Sequence, residues 1–213
     1  MATALRPAFR GRDATETKDR LLDAAERLFA ERGFIGTSIR AVTQAAGVSV
    51  SAANYHFGSK QALLAATYGR AIRPVNEARL VRLSELERQA GDGELRLSDV
   101  LDAFLRPVFE SPNEASLRGL AARLFSDPPE VVAALKQDYF GEISERFVAA
   151  LQRVLSDRDE REVEFAFQFL VGIMVQVIAG QIDAVVGDAG SDTDEIEPML
   201  ARIIRFAAAG FEA

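Results

Sequence analysis

The sequence of 213 residues contains no cysteine and a single histidine, His56. Without cysteine there can be no disulfide framework and no thiolate metal site. One histidine, with no paired-carboxylate or phosphate-loop motif elsewhere, leaves little from which to build a catalytic or metal centre. We therefore expect neither an enzyme nor a bound cofactor or metal ion.

The sequence also has no secretory signal, because no apolar segment follows Met1 to Arg12, and we expect a cytoplasmic protein. The stretch from Phe165 to Val186 is apolar nearly all round and long enough for a membrane helix. Polar residues interrupt this stretch and acidic residues precede it, which argues against a transmembrane helix and against a membrane as a partner. A helix that is hydrophobic on every side is buried on every side, so we expect it to pack on its own domain and on a second copy of the chain.

Negative charge is absent from one long interval. From Arg32 to Asn76 there is no Asp or Glu, although the chain holds 32 acidic residues and has a net charge of −7. Residues 1–70 carry a charge balance of +4 and residues 71–213 one of −11. Fixed negative charge would oppose the phosphate contacts that dominate affinity for nucleic acid. The distribution predicts a nucleic-acid-binding amino-terminal region, the alternative being a buried region that has few acids by chance.

Within this interval, residues 37–60 predict two short helices joined by a tight turn. Apolar residues recur at helical spacing between Ser38 and Ala46, and Gly47 permits the positive φ that ends a helix. Ser49 lies where an N-cap is wanted, so a second helix can begin at once. This is the helix-turn-helix arrangement, whose second helix enters the DNA major groove, although many helical hairpins never contact DNA.

The rest of the chain predicts further helices, with no convincing strand and no internal repeat. A first helix from Ala14 to Arg32, with Asp13 and Glu16 at capping-box spacing, would brace the two short helices and end at Gly33. A fourth helix beginning near residue 59 should be interrupted or kinked at Pro74. Later helices are expected over residues 76–89, 98–106, from 112, 130–155, 161–186 and 196–211.

Three segments taken in order resemble a known family. A helix ending in ERGF, then TSIRAVTQAAGVS, then NYHFGSKQALL look like the DNA-binding domain of TetR-type transcriptional regulators, over roughly residues 15–65. Beyond this domain the chain is similar to the family only in helical character. The resemblance implies an all-α fold of about nine or ten helices. It divides the chain into a flexible arm (1–13), a three-helix helix-turn-helix DNA-binding domain (14–58) and a helical ligand-binding and dimerisation domain (59–213).

The resemblance implies a homodimeric repressor that binds double-stranded DNA at a palindromic operator. By position it implies that Arg40 reaches a base edge, that Val50, Ser51 and Ala52 face the groove, and that Ser38, Ser49, Asn54, Tyr55, His56 and Lys60 contact phosphates. Ala53 replaces a common Leu and Asn54 a common aromatic, so base contact by Asn54 is open. Arg40 could instead be a solvated helix residue, His56 could make a structural bond, and Tyr55 could lie in the core.

The resemblance further implies that a small apolar or amphipathic effector in the body releases the DNA. A fatty acid or acyl thioester is the first expectation and a lipophilic or aromatic compound the second; a regulator of this fold that binds a protein partner instead is the alternative. The candidate pocket residues are Phe104, Phe109, Leu120, Arg123, Leu124, Phe140, Phe147 and Phe169. Each Phe could equally be ordinary core, and Arg123 could meet a ligand anion or pair with Asp138 or Glu142.

The expected dimer interface lies on the apolar helix near the carboxy-terminal end. The resemblance implies that two long carboxy-terminal helices per subunit form a four-helix interface. The residues assigned to it are Phe165, Gly172, Gln176, Gly180 and Asp183.

Overall fold

The computed structural model describes residues 8–91, 93–124, 126–181 and 196–212. These residues form nine helices and no strand, so the predicted all-α fold is confirmed. The helices are α1 (Ala8–Gly36), α2 (Ile39–Ala46), α3 (Val50–Phe57), α4 (Lys60–Ala90), α5 (Leu97–Phe109), α6 (Glu114–Leu124), α7 (Pro129–Val154), α8 (Glu160–Ile178) and α9 (Ile196–Glu212). No helix in this described part of the chain is long and apolar enough to span a membrane.

The first helix begins earlier than predicted. It begins at Ala8 rather than Ala14, so Asp13 lies inside the helix and is not its N-cap. Gly33 has φ 68° and ψ −179°, which breaks the helical geometry, and the chain is again helical up to Gly36. This left-handed φ favours glycine, so the first helical segment ends at Gly33, as predicted, and a further turn follows up to Gly36. Residues 1–7 of the predicted arm lie outside the described residues.

The interruption predicted as one alternative at Pro74 does not occur, because α4 is one helix of 31 residues with Pro74 inside it. A proline in a helix interior removes a backbone hydrogen bond and costs about 3 kcal/mol. Ala71, Ile72 and Val75 are all buried beside it. Burying one large aliphatic side chain contributes about 1.5–3 kcal/mol, so the packing around Pro74 offsets the lost bond.

The predicted helix 161–186 ends early. α8 stops at Ile178, with Ala179 as its C-cap, and Gly180 then adopts a φ of 70°. Residues 182–186 of the predicted helix lie outside the described residues. A glycine at positive φ just after the last turn is the usual way in which a helix stops.

One hydrophobic core runs through the described helices. α1 packs against α2, α3, α4 and α6. α4 also packs against α5 and α7. α8 packs against α6, α7 and α9, so the carboxy-terminal helices belong to the same core. Within this core, the ring of Phe104 makes edge-to-face contacts with those of Phe147 and Phe167. The distances between ring centroids are 5.1 Å and 4.9 Å. Such pairs contribute about 0.5–1.5 kcal/mol beyond the area that they bury.

Candidate nucleic-acid interface and effector cavity

Two serine caps set the positions of α2 and α3. The hydroxyl oxygen of Ser38 accepts a hydrogen bond from the backbone N–H of Ala41 at 3.1 Å. That of Ser49 accepts from the N–H of Ala52, also at 3.1 Å. Gly47 between them has φ 64°, which turns the chain within three residues. Both hydroxyl groups accept in these caps, so each still has a proton to donate to a phosphate.

Arg20 of α1 braces the same turn. Its guanidinium group donates to the carbonyl of Ala46 and to that of Gly47, the latter at 3.0 Å. A cation at the carboxy-terminal end of α2 satisfies carbonyl groups that the helix leaves unpaired. Sequence reasoning missed this residue, because nothing in the local pattern of α1 indicates contact with a turn 26 residues further along the chain.

The outer surface of α2 and α3 carries most of the residues assigned to DNA. Tyr55 is 84% exposed, so the alternative of a core role for Tyr55 is wrong. The other predicted contacts in these helices with exposed side chains are Arg40, Val50, Ser51 and Asn54, while Ala52 is half-buried. Ala53 is only 2% exposed and packs inward, which leaves Asn54 as the member of this pair that faces solvent.

His56 and Lys60 are less free than their neighbours. His56 is half-buried, with its ring 5.3 Å from that of Tyr55 and 6.2 Å from that of Phe57. Lys60 directs its Nζ to the carbonyl oxygens of Phe34 at 2.9 Å and Thr37 at 3.1 Å. Its ammonium group therefore binds the protein's own backbone, whereas the sequence predicted a phosphate contact.

Further hydrogen bonds stabilise the backbone around the break in α1 at Gly33. The hydroxyl group of buried Thr37 lies within hydrogen-bond distance of the carbonyls of Leu28 and Gly33 and shares its single proton between them. The N–H of Phe34 donates to the Asp127 carboxylate at 2.8 Å, across 93 residues of chain. Because Asp127 lies between α6 and α7, the candidate DNA-binding unit, formed by α1, α2 and α3, is tied directly to the body of the protein.

The body contains a mainly apolar cavity of about 230 Å³. α4, α5, α6, α7 and α8 all contribute to its wall, and its lining includes Tyr68, Phe104, Leu117, Ala121, Lys136, Phe140, Phe167, Gln168 and Met174. An apolar cavity with few polar groups is typical of a small-molecule site.

Among the predicted pocket residues whose side chains the structure describes, Phe104 and Phe140 line this cavity. Leu120 and Phe147 are core residues without a place in its wall, and half-buried Phe109 lies outside it. Phe169 is 69% exposed on the opposite side of α8, and the side chain of Leu124 is outside the described residues. Aromatic content alone could not separate wall from core, because both are apolar.

Arg123 is also absent from the cavity wall. Its guanidinium group donates to the carbonyls of Ala30, at 3.0 Å, and Glu31. It therefore caps the part of α1 before the Gly33 break, and it does not pair with the acids at 138 and 142. Since Leu117 and Ala121 of the same helix line the cavity, α6 contacts both the cavity and the DNA-binding unit.

Exposed phenylalanines, together termed the strip on α8 and α9, lie on these two helices, which pack against each other. Phe165 is 52% exposed and Phe169 69%, and Phe206 of α9 is also 69% exposed. Gly172 and Gln176 continue the α8 strip at helical spacing, and Gly180 follows the end of the helix. Asp183, the last residue assigned to the interface, lies outside the described residues.

Two family models match the chain. Residues 21–67 match the model of bacterial regulatory proteins of the tetR family, and residues 102–210 match that of the tetracyclin repressor-like C-terminal domain. The first covers the end of α1, α2, α3 and the start of α4, and the second covers most of the body.

Individual proteins agree with these matches. The HTH-type transcriptional regulator CymR of Pseudomonas putida is 35% identical over 96 residues, which are 45% of this chain and 47% of that protein. This alignment spans about half the length of the relative. A bacterial regulatory protein in the tetR family from Rhodococcus RHA1 shares the fold with a TM-score of 0.62 and 18% identity, over 92% of this chain and 96% of that one. The TetR family regulator PfmR of Thermus thermophilus does so with a TM-score of 0.54 and 21% identity, over 92% and 98%.

The capped helix pair with its exposed outer face, the helical body and the two family models lead to one assignment. The chain belongs to the TetR family and is a DNA-binding transcriptional regulator, not an enzyme.

Proposed function

We propose that the protein is a homodimeric cytoplasmic repressor that leaves a palindromic operator when a small apolar or amphipathic molecule occupies its cavity. The observation that carries the proposal is the outward face of α2 and α3, where Arg40, Asn54 and Tyr55 are exposed within an interval free of acidic residues. α3 is the recognition helix, and its first turn enters the major groove. The acid-free interval lowers the electrostatic barrier to this approach.

The dimer is supported by the strip on α8 and α9. Three phenylalanines that are each more than half exposed are unusual on the surface of a monomer, and large apolar patches mark interaction sites. Self-association through a two-fold axis would place the same strip on both partners and bury it. It would also give the two recognition helices the symmetry of a palindrome.

The release mechanism is supported by the position of α6. Its Leu117 and Ala121 line the cavity, while its Arg123 and the following Asp127 bind the backbone of α1 on either side of Gly33. A ligand that displaces α6 would therefore change the angle of the DNA-binding unit. A ligand shifts such an equilibrium only by its difference in affinity for the two arrangements.

Arg40 provides the direct test of the DNA-binding role. Fluorescence anisotropy with duplexes from the DNA flanking the coding sequence should find one that the protein prefers over a scrambled duplex. Arg40→Ala should weaken binding to that duplex by roughly 10- to 100-fold and relax the base preference, because a good bidentate base contact discriminates by about 1–3 kcal/mol.

Arg88→Ala is the matched control for loss of one positive charge. Arg88 lies in the last turn of α4, far along the helix from Lys60 and paired with Glu85. Binding by this variant should equal that of the unmodified protein. Equal binding by Arg40→Ala and Arg88→Ala would show that α2 has no part in recognition.

The effector is tested by thermal unfolding with a panel of apolar and amphipathic compounds. A ligand of the native state raises Tm once its concentration exceeds its Kd, and it should release the preferred duplex in the same concentration range. If no compound raises Tm, the regulator that acts through a protein partner is the better account.

A further inference from the structure

Arg79 is a fully buried cation without an acidic partner among the described residues. It is the largest completely buried side chain in this part of the chain and lies in the middle of α4. No carboxylate of the described ranges lies within 4.0 Å of its guanidinium group. Its neighbours are instead the Phe104 carbonyl at 2.8 Å, the Asn76 amide oxygen at 3.1 Å and the Met174 sulfur at 3.0 Å.

These neighbours do not neutralise the charge. Burial lowers the pKa of Arg79 to about 9, so the guanidinium group stays protonated at neutral pH. A buried charge is normally paired, because neutral dipoles replace only part of the hydration that it loses. The three contacts use three of the five N–H groups of the side chain, and one of the three goes to a thioether, which is a weak acceptor. The site therefore has positive charge and donor capacity that the described residues leave unused.

The same guanidinium group lies directly behind the cavity wall. It stacks 4.1 Å from the centre of the Phe104 ring, and both Phe104 and Met174 line the cavity. Methionine is flexible and adapts its rotamer at low cost, so a better acceptor entering from the cavity can displace its sulfur. The other cation of the lining, Lys136, is exposed at the cavity's edge, where water already solvates it.

We propose that Arg79 is the receptor for an anionic group of the effector, and that the effector is an apolar molecule carrying one carboxylate. This inference rests on the proposed function, since it names the chemistry of the ligand that the cavity takes. The carboxylate displaces the Met174 sulfur and forms a charge-assisted pair with the guanidinium group, while the apolar part fills the space between Phe140 and Phe167. Arg79 thus takes the role that the sequence suggested for Arg123.

Matched acids and alcohols test the pairing. Decanoate is compared with decanol and 4-butylbenzoate with 4-butylbenzyl alcohol, so that both an alkyl and an aryl body are sampled. Isothermal titration with the full chain should give an affinity for at least one acid about tenfold or more above that of its alcohol, because a hydrogen-bonded charge pair in a buried site supplies the difference. Equal affinities for acid and alcohol, or no binding of any acid, would overturn the proposal.

Three variants locate the receptor. Arg79→Met should lower the affinity for the preferred acid about tenfold or more and leave that for the alcohol within about threefold, whereas Arg79→Lys should retain most of the preference. Lys136→Met removes the exposed cation of the lining and should change the two affinities alike, so that the preference for the acid over the alcohol stays within about threefold of that of the unmodified protein. A preference that survives Arg79→Met, or that disappears in Lys136→Met, refutes the role of Arg79.

Two readouts separate this inference from the proposed function. Circular dichroism and binding to the preferred duplex establish that Arg79→Met is folded; if it is not, Arg79→Lys and the comparison of acid with alcohol on the unmodified protein decide. If an alcohol releases the duplex as readily as its acid, the proposed repressor function stands but Arg79 is not an anion receptor. Failure of the unmodified protein to prefer any duplex would instead remove the proposed function.

Discussion

Lys60 stabilises the residues at the break in α1. Its ammonium group donates to the carbonyls of Phe34 and Thr37 and lies 4.0 Å from the centre of the Phe34 ring. One lysine thus satisfies two carbonyls that have left the helical pattern and also makes a cation–π contact, which contributes about 0.5–1 kcal/mol at an exposed site. The orientation of α2 depends on this arrangement, because α2 begins two residues after Thr37.

Replacement of Lys60 should therefore affect folding as well as DNA binding. Lys60→Met keeps the length of the side chain but removes the donor, and we expect the free energy of unfolding in urea to fall by about 1–3 kcal/mol. Lys18→Met, at an exposed position of α1, is the control and should stay within about 0.5 kcal/mol of the unmodified protein. Equal stability of the two variants would show that the Lys60 bonds contribute nothing.

The phosphate contact predicted for Lys60 can be separated from this effect by salt. If the third N–H of the ammonium group also reaches a phosphate, loss of Lys60 lowers the slope of log affinity against log salt by about 1. If Lys60 acts only within the protein, the slope is unchanged.

At the scale of elements, α6 is held by contacts on two sides. The phenol of Tyr68 in α4 donates to the Leu120 carbonyl at 2.8 Å. On the other side, the Cβ of any residue replacing Gly119 would lie 2.8 Å from the Cβ of Ala30, so α6 and α1 are in close contact. Movement of α6 therefore requires either α1 or α4 to adjust, which is the physical basis of the coupling that we propose between the cavity and DNA.

One hydrogen bond between the two parts can be measured directly, the bond from the Phe34 N–H to the Asp127 carboxylate. Asp127→Ala removes the acceptor of the Phe34 N–H, and we expect hydrogen exchange at that amide to accelerate by about tenfold or more, since the bond contributes roughly 1–3 kcal/mol. Asp127→Asn keeps an oxygen acceptor at the same position and should exchange nearly as slowly as the unmodified protein. Unchanged exchange in Asp127→Ala would mean that the two parts are not joined through this bond.

The Tyr68 phenol makes the α4–α6 contact sensitive to alkaline pH. Burial, with a smaller contribution from the Asp127 carboxylate, raises the pKa of Tyr68 far above its ordinary value. The unfolded chain releases this proton near pH 10 while the folded chain retains it, so stability is complete below that pH and falls as the pH rises above it, by about 1.4 kcal/mol per unit. In urea titrations between about pH 9 and 11, on either side of the ordinary tyrosine pKa, Tyr68→Phe should show a shallower decline.

Tyr55→Phe is the control for this pH dependence. It removes a phenol that is 84% exposed, and its decline should match that of the unmodified protein. A decline that is the same in all three proteins would exclude Tyr68 as a source of the alkaline loss.

The elements that local chemistry controls could be predicted from the sequence. Ser38, Gly47 and Ser49 act within a few residues of themselves, and the limits of α2 and α3 follow from them. The continuity of α4 through Pro74 could not be predicted, because it depends on packing from other helices. The partners of Arg20, Lys60 and Arg123 were equally hidden, since each lies between 23 and 93 residues away along the chain.

The candidate site divides in the same way. The exposed face of α2 and α3 was predictable because surface charge and helix register are sequence properties. The lining of the cavity could not be predicted. Phe104 and Phe147 are both phenylalanines in apolar helices, and only the packing of the helices places Phe104 at the cavity and Phe147 away from it. Arg79 lies in a charge-rich run that is typical of a solvated face, and only the packing of α4 against α5 and α8 removes it from water.

For the whole molecule, we expect the strip on α8 and α9 to determine the oligomeric state. Phe169→Arg places a charge at its most exposed phenylalanine of α8, and we expect light scattering after gel filtration to give half the mass of the unmodified protein, because an unpaired buried charge costs several kcal/mol. Val81→Arg changes another apolar side chain, 68% exposed on α4, and should leave the mass unchanged. A Phe169→Arg variant that keeps the mass of a dimer would place the interface elsewhere.

Selection of bound duplexes from a random DNA library tests the central claim most directly, because the selection itself finds the sequence that the protein prefers. A symmetric dimer with one recognition helix per subunit should enrich a palindrome whose half-sites are separated by about 34 Å or a multiple of it along the helix. The same selection with Arg40→Ala should lose enrichment at one base position in each half-site. Enrichment of a sequence without two-fold symmetry, or of no sequence at all, would contradict the account.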